Sequence, residues 1–172
     1  SGIVDRVDGW AENGRLYLRV VDYKTGKKSF DLAELRYGLG LQMLLYLFTL
    51  KEEGQMLFGG HEIVPAGVLY TPAREPMLRC ARDTEPEKIE KALKKELRRS
   101  GLVLEDAQVL RAMEHDALEK PVYLPITLKK DGTITDGVAT AHELGRLGRY
   151  TEHLLEQIAG ELARGNVDAD PA

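Results

Sequence analysis

The feature that most constrains the fold of this chain is the dipeptide Asn13-Gly14. It joins residues 3–10 to residues 15–23, and both segments alternate between polar and apolar side chains and are rich in Val, Leu and Tyr. An Asn-Gly pair between two such segments is typical of a β-hairpin with a two-residue loop. We therefore predict two antiparallel strands in which Glu12 pairs with Arg15. Each further pair then lies one residue outward on both strands.

This predicted register places Asp5 directly opposite Asp22, with their Cβ atoms roughly 4.5–5.5 Å apart. Lys24 lies two residues after Asp22 and points to the same face of the hairpin, because strand side chains alternate. The rest of that face is apolar. Two carboxylates facing each other beside a core repel and are costly to bury, unless a divalent cation lies between them. Carboxylate oxygens suit Mg²⁺ or Mn²⁺, and Lys24 is within reach of a phosphate or an attacking water. The alternative is an ordinary ion-pair cluster.

The same register sends Asp8 to the opposite face of the hairpin, where it faces Arg19. Such a pair is predicted to be a surface ion pair, which contributes about 0–1 kcal/mol to stability. We therefore predict Asp5, and not Asp8, as a metal ligand.

The remaining elements follow from apolar periodicity and from the positions of Gly, Pro and capping residues. The predictions are helices over residues 32–53 (ended by Gly54), 84–99 (capped by Thr84 and ended by Gly101), 105–113 and 139–164, with strands over 62–71 (irregular at Pro65) and 122–129, and a turn at 130–132. Strands interleaved with helices indicate an α/β fold, with a central sheet flanked by helices.

Composition excludes several classes of protein. No run approaches the roughly 18 apolar residues that span a bilayer, and Cys80 is the only cysteine, so an internal disulfide and a thiolate metal cluster are excluded. These features favour a cytoplasmic location. The chain begins at Ser1-Gly2 without an initiator Met, and we expect a fragment of a longer protein, with residues 1–165 as its folded domain and 166–172 as a linker.

Three short motifs carry a family resemblance. They are Gly2 to Arg6 (G-I-V-D-R), Asp22 to Lys24 (D-Y-K), and Gln42 with Tyr46 (Q-x-x-x-Y). In this order, on strand, strand and helix, they resemble the G-x-x-D, D-Y-K and Q-x-x-x-Y signature of RecB-type nucleases within the PD-(D/E)XK superfamily. The chain is similar over nearly its whole length to the AddB type, the B subunits of bacterial AddAB helicase–nucleases. The resemblance implies a restriction-endonuclease-like core with a mixed β-sheet.

The resemblance also implies roles for individual residues. The residues implied in catalysis are Asp5, Asp22, Lys24, Gln42 and Tyr46. Asp5 and Asp22 would hold Mg²⁺ or Mn²⁺ together with the backbone carbonyl of Tyr23, and Lys24 would position or activate the water and stabilise charge on the phosphate. The two helix residues project from one face at i, i+4 and would flank the metals or the DNA backbone. For Tyr46 the alternative is an ordinary core position.

The implied activity is metal-dependent deoxyribonuclease or exonuclease activity in double-strand-break repair and recombination. The implied partners are DNA and an AddA-like helicase–nuclease subunit, and ATP would bind only at helicase domains elsewhere, because this chain has no G-x-x-x-x-G-K-[ST] loop. A net charge of −4 means that DNA must meet local basic patches, for which the candidates are Lys27, Lys28 and Arg36. The alternative for these three is a normal charged surface.

Two departures from the family pattern matter. Family members take a further His or Glu ligand from an upstream helix, which this chain lacks, so activity of the isolated chain is in doubt. AddB nucleases also hold a 4Fe-4S cluster with cysteines on both sides of the domain, and Cys80 does not match them, so those ligands would lie outside this chain. Two other functions stay open: a non-catalytic scaffold or DNA-channel module that keeps the nuclease fold, and a different RecB-like nuclease.

Overall fold

The computed structural model describes residues 5–24, 40–73 and 83–165. Its strands are β1 Arg6–Glu12, β2 Arg15–Lys24, β3 Glu62–Pro72, β4 Ser100–Leu104, β5 Thr127–Leu128, β6 Ile134–Asp136 and β7 Val138–Ala139. Its helices are α1 Leu41–Leu57, α2 Pro86–Leu97, α3 Ala107–Met113 and α4 Ala141–Ala163. None of the helices in the described ranges is long and apolar enough to cross a membrane. The expected α/β architecture, a central mixed sheet flanked by helices, is confirmed.

The main sheet has five strands in the order β1-β2-β3-β4-β7. The β1–β2 and β3–β4 pairs are antiparallel, whereas β2–β3 and β4–β7 are parallel. The predicted hairpin is confirmed: Asn13 and Gly14 form the turn with positive φ at both residues, and Glu12 pairs with Arg15. The register then runs without a bulge to the pair Arg6–Val21, so the alternation of faces predicted from the sequence holds along the whole hairpin.

The predicted irregularity at Pro65 is a bulge in β3. Leu18 pairs with Pro65, but the next residue, Arg19, pairs with Gly67. Ala66 is therefore an extra residue in β3. Pro65 has no backbone N–H to donate to the β2–β3 ladder. The bulge therefore lies next to a residue that already lacks one ladder hydrogen bond.

The sheet buries a hydrophobic layer on each face. On the α1 face, side chains of β2 and β3 pack against α1; this cluster contains Leu18, Val20, Met43, Leu44, Leu47, Phe48, Ile63, Val68 and Tyr70. On the opposite face, the α3 face, the layer packs against α3 and the segment that follows it; this cluster contains Val21, Leu69, Val103, Leu110, Ala117, Leu124 and Ile126. Helix α4 packs against α1, where Gly148 leaves room for the ring of Phe48.

Helix α1 differs from its prediction at both ends. It begins after Gly40, which has a φ of 75° and therefore cannot continue a right-handed helix; residues 32–39 of the predicted helix lie outside the described residues. At the other end, Gly54 was wrongly predicted as the stop, and the helix continues to Leu57. Gly54 is buried, and a Cβ there would meet the side chains of Phe58 and Ile63 at 3.3 and 3.4 Å. A close approach, not a helix end, accounts for this glycine.

Two predictions around α2 were wrong. Its N-cap residue is Glu85, which makes no side-chain cap hydrogen bond, and not Thr84; Pro86 is the first residue of the helix. Gly101 does not follow the helix as a stop but lies inside β4, paired with Leu69. The five-residue strand Ser100–Leu104 was not predicted, because it is too short to show alternation.

The strand predicted over residues 122–129 reduces to Thr127–Leu128, which pairs with β6 across the predicted turn. The residues before it are held differently. The carboxylate of Glu114 accepts hydrogen bonds from the backbone amides of Val122, Tyr123 and Leu124 at 2.6 to 3.3 Å. A single side chain thus satisfies three amides that a sheet would otherwise pair.

The N-terminus of α4 carries a capping box that the sequence prediction did not include. The Thr140 hydroxyl accepts from the amide of Glu143 at 3.2 Å, and the Glu143 carboxylate accepts from the amide of Thr140 at 2.8 Å. We expect Thr140→Ala to lower the free energy of unfolding by about 1 kcal/mol, measured by urea denaturation. Thr49→Ala, at an exposed interior position of α1, is the control and should change it by less than about 0.5 kcal/mol. Equal effects of the two variants would contradict a stabilising cap.

Candidate active site

The two carboxylates predicted to face each other do so at the open end of the hairpin. Asp5 immediately precedes β1, and one further step of the β1–β2 register places it opposite Asp22. The backbone amide of Tyr23 donates a hydrogen bond to Asp5 Oδ2 at 2.7 Å, and the Asp5 and Asp22 side chains interact directly. Asp5 is exposed, whereas the Asp22 side chain is only 16% exposed.

Lys24 joins this pair from the same strand and the same face as Asp22. Its Nζ lies 2.5 Å from Asp22 Oδ2 and 5.7 Å from the centroid of the Tyr70 ring. Tyr70 is the β3 partner of Asp22 and is buried, so its ring is a fixed surface next to the ammonium group. The ion pair with Asp22 raises the pKa of Lys24, which keeps it cationic at neutral pH.

The electrostatics favour a charged Asp5. The hydrogen bond from the Tyr23 amide, followed by the Asp22 side chain, holds the pKa of Asp5 below its ordinary value. Burial opposes this shift, and the charge of Lys24 lowers the pKa of Asp5 by less than these effects. Asp5 is therefore ionised at neutral pH. Within residues 5–24, 40–73 and 83–165, no group of three or more His, Cys, Asp or Glu side chains has metal-binding spacing. A pair of carboxylates still fits Mg²⁺, because this ion commonly takes one or two carboxylates and keeps several waters.

Gln42 and Tyr46 lie in the first two turns of α1, the helix that packs on the face carrying Asp22 and Lys24. Both are exposed, and Tyr46 retains 40% of its surface. The alternative interpretation of Tyr46 as a core residue is therefore wrong. Their four-residue spacing places both side chains along one side of the helix.

Several predicted residues lie outside the part of the chain that the structure describes. They are Lys27, Lys28, Arg36, Cys80 and the linker residues 166–172. Their predicted roles stay predictions.

The opposite face of the hairpin holds more than the predicted pair. Arg19 Nε contacts Asp8 Oδ2 at 2.8 Å as expected, but Arg6 also reaches Asp8, with Nε 2.8 Å from Oδ1. The Arg19 side chain is 13% exposed, so the cluster is not a simple surface pair. Although burial opposes it, hydrogen bonds from Arg19 and Arg6 lower the pKa of Asp8. The pattern that points to the second arginine is the i, i+2 spacing of Arg6 and Asp8, which puts both on one face.

Comparison with known proteins adds a family to this geometry. Residues 1–172 match the model of the PD-(D/E)XK nuclease superfamily. The chain is 37% identical to a protein of Ruminiclostridium cellulolyticum and 36% identical to one of Acetivibrio thermocellus, each named as the B subunit of an ATP-dependent helicase/deoxyribonuclease. A protein of the same name from Thermoanaerobacter pseudethanolicus is 32% identical. Each match covers 99% of this chain and 15% of the relative. The predicted similarity to helicase–nuclease B subunits is thereby confirmed.

Proposed function

Because the chain belongs to the PD-(D/E)XK nuclease superfamily, we propose that it hydrolyses phosphodiester bonds of DNA with a divalent cation held by Asp5 and Asp22. The observation that carries the proposal is that Asp5, immediately before β1, lies opposite Asp22 on β2, with Lys24 on the same face. Hard oxygen ligands of this kind select Mg²⁺ or Mn²⁺ over softer metals.

Each residue of the proposed site has a separate task. Asp5 and Asp22 would hold the cation, with the backbone carbonyl of Tyr23 as a further oxygen ligand. A bound Mg²⁺ supplies Lewis-acid chemistry that stabilises negative charge on the phosphate oxygens in the transition state. Lys24 carries its charge on a flexible stem beside Asp22, so it can donate a hydrogen bond to a phosphate oxygen or orient the attacking water.

Gln42 and Tyr46 would complete the proposed site from α1. Both side chains are exposed, so their amide and phenol groups lie at the surface where a DNA backbone can contact them, and hydrogen bonds from such side chains to phosphates are a common way to position a substrate. Lys27, Lys28 and Arg36 lie outside the described residues, and we propose that their charges contact DNA phosphates.

The names of the relatives support a place in a larger enzyme. We infer that the chain acts as the nuclease domain of a helicase–nuclease, with DNA and an AddA-like subunit as partners and with ATP bound only at helicase domains elsewhere. Such an assembly would process broken DNA ends in repair and recombination. The 4Fe-4S cluster expected of the longer protein stays a prediction, because none of the described residues bears on it.

A non-catalytic scaffold with the nuclease fold is the second candidate. It is favoured by one observation, namely that no third acidic, His or Cys ligand joins Asp5 and Asp22 among the described residues. The two functions differ in metal binding, since a scaffold does not require a cation at the hairpin end.

Calorimetric titration with Mn²⁺ tests the proposal directly. We expect binding by the chain, at least tenfold weaker binding by Asp22→Ala because one of two charged ligands is lost (on the order of 1.4 kcal/mol or more), and unchanged binding by Asp116→Ala. Asp116 is a suitable control because its side chain is 64% exposed and far from the hairpin in sequence. Equal binding by the chain and Asp22→Ala would place the metal elsewhere. No binding, either by this chain or by a longer protein that includes the residues before it, would favour the scaffold.

A further inference from the structure

A continuous series of polar contacts runs along the α3 face of the hairpin. Asp8 accepts from Arg19 Nε at 2.8 Å and from Arg6 Nη2 at 3.0 Å. Arg6 Nη1 in turn donates to the hydroxyl of Tyr23 at 2.6 Å, and its guanidinium lies 5.7 Å from the centre of the Tyr23 ring. Arg6 therefore links Asp8 on β1 to Tyr23 on β2.

The series crosses the sheet at Tyr23. Its side chain lies on the α3 face, but its backbone amide donates to Asp5 Oδ2 at 2.7 Å, and its two neighbours Asp22 and Lys24 point to the α1 face. A contact that restrains the Tyr23 side chain therefore also restrains the Tyr23 backbone, whose amide donates to Asp5.

We propose that Arg6 and Asp8, backed by Arg19, are positioning residues that hold Tyr23 and thereby set the spacing of the Asp5–Asp22 pair. This inference rests on the proposed function, since it assumes that the pair binds the cation. It gives a role to Arg6 and Asp8, to which the nuclease signature of Asp5, Asp22 and Lys24 assigns none.

The position of Asp5 explains why such support is needed. Asp5 lies before the first residue of β1, and β1 is an edge strand of the sheet. Strand ends open readily because few buried contacts hold them, and both Asp5 and Tyr23 are exposed. The backbone of Tyr23 is held by its pairing with Thr71 of β3. Neither Asp5 nor Tyr23 belongs to a buried hydrophobic cluster of the described residues, so the contacts with Arg6 are what restrain the exposed Tyr23 side chain. Partners that orient metal ligands in this way typically change metal affinity 10–100-fold when removed.

The charge balance on the α3 face gives Asp8 a second task. Arg99 is half-buried, and this burial is the largest cause that lowers its pKa. The charges of Arg19 and Arg6 lower the pKa of Arg99 further. The three guanidinium groups therefore lie within electrostatic range of one another. Arg19 Nη1 is buried without a hydrogen-bond partner among the described residues. Asp8 is the carboxylate that offsets this charge, and its removal would let the arginines separate and release Tyr23.

Tyr23→Phe is the cleanest test, because it removes only the hydroxyl that Arg6 binds and keeps the backbone amide that donates to Asp5. We expect Mn²⁺ affinity to fall about tenfold, with little change in the midpoint of thermal unfolding, since the side chain is 38% exposed. Arg6→Lys should have the same effect, because an ammonium group cannot bond Asp8 and the Tyr23 hydroxyl in the fork geometry of a guanidinium. Glu62→Ala is the matched control: it breaks the Arg15–Glu62 pair at 3.0 Å, near the turn end of the same hairpin, and should leave Mn²⁺ affinity unchanged.

A second measurement makes the inference independent of metal binding. Hydrogen exchange at the Tyr23 amide reports its bond to Asp5, and we expect faster exchange in Tyr23→Phe and Arg6→Lys than in Glu62→Ala. Wild-type Mn²⁺ affinity and wild-type exchange in both variants would overturn the inference, even if Asp22→Ala abolished binding and so upheld the proposed function. Failure of both the unsubstituted chain and a longer protein to bind Mn²⁺ would instead count against the proposed function, and the exchange rates would still decide whether Arg6 holds Tyr23.

Discussion

Lys24→Gln is expected to lower the rate of DNA hydrolysis by about 10²–10⁴-fold while leaving Mn²⁺ affinity unchanged or higher. The two effects separate because Lys24 would act on the phosphate or the water, whereas in the free protein its ammonium lies 2.5 Å from Asp22 Oδ2 and competes with a cation for that oxygen. Glutamine keeps most of the length of the side chain and removes the charge. If Lys24 only stabilised the fold, its substitution would not lower the rate of hydrolysis while leaving Mn²⁺ affinity unchanged or higher.

The measurement is the rate of release of nucleotides from labelled duplex DNA in Mg²⁺ under single-turnover conditions, combined with Mn²⁺ calorimetry on the same samples. If the isolated chain is too slow, the same substitution is made in the longer protein. Lys120→Gln is the control, because Lys120 is an exposed lysine whose Nζ lies 3.2 Å from Glu90 Oε1, remote from the site in sequence. A Lys24→Gln variant that hydrolyses DNA at the normal rate would remove Lys24 from the mechanism, whatever its effect on the metal.

The meeting of Asp5 and Asp22 was predictable because hairpin geometry is local. A two-residue turn fixes the register of every pair outward from it, and strand side chains alternate strictly, so residue types and counting were sufficient. The same counting paired Asp8 with Arg19, but it could not show how deeply Arg19 is buried. Burial depends on α3 and the segment after it, which pack on that face from far along the chain.

Long-range packing also explains the errors in secondary structure. Residues 122–129 alternate as a strand would, yet the amides of Val122, Tyr123 and Leu124 bond to the carboxylate of Glu114, a partner that no local pattern reveals. Gly54 and Gly101 were both predicted to end helices, although each is a place where another part of the chain comes close. Glycine marks either a special backbone angle or a close approach, and the sequence does not distinguish these two uses.

Gly101→Ala is expected to lower the free energy of unfolding by about 3 kcal/mol or more, because it forces atoms into occupied space and strains the backbone. Gly101 pairs with Leu69 in the middle of the sheet, with a φ of 152° that side chains rarely adopt. A Cβ there would lie 2.0 Å from the carbonyl oxygen of Val68 and 3.0 Å from the Cα of Leu69. Both are backbone atoms of β3, so relief requires β3 and β4 to move apart, which also disturbs the buried layers on both faces.

Gly145→Ala provides the matched control, since the same substitution there should stabilise the protein by about 0.5–1 kcal/mol. Gly145 lies within α4, and a Cβ would meet only the tip of the Arg149 side chain at 3.7 Å, so alanine relieves the entropic cost of glycine in a helix. Urea denaturation of the two variants, monitored by circular dichroism, should therefore give free energies on opposite sides of the unsubstituted chain. A Gly101→Ala variant as stable as the parent would mean that β3 and β4 are not paired through this residue, and the register of the central sheet would have to be revised.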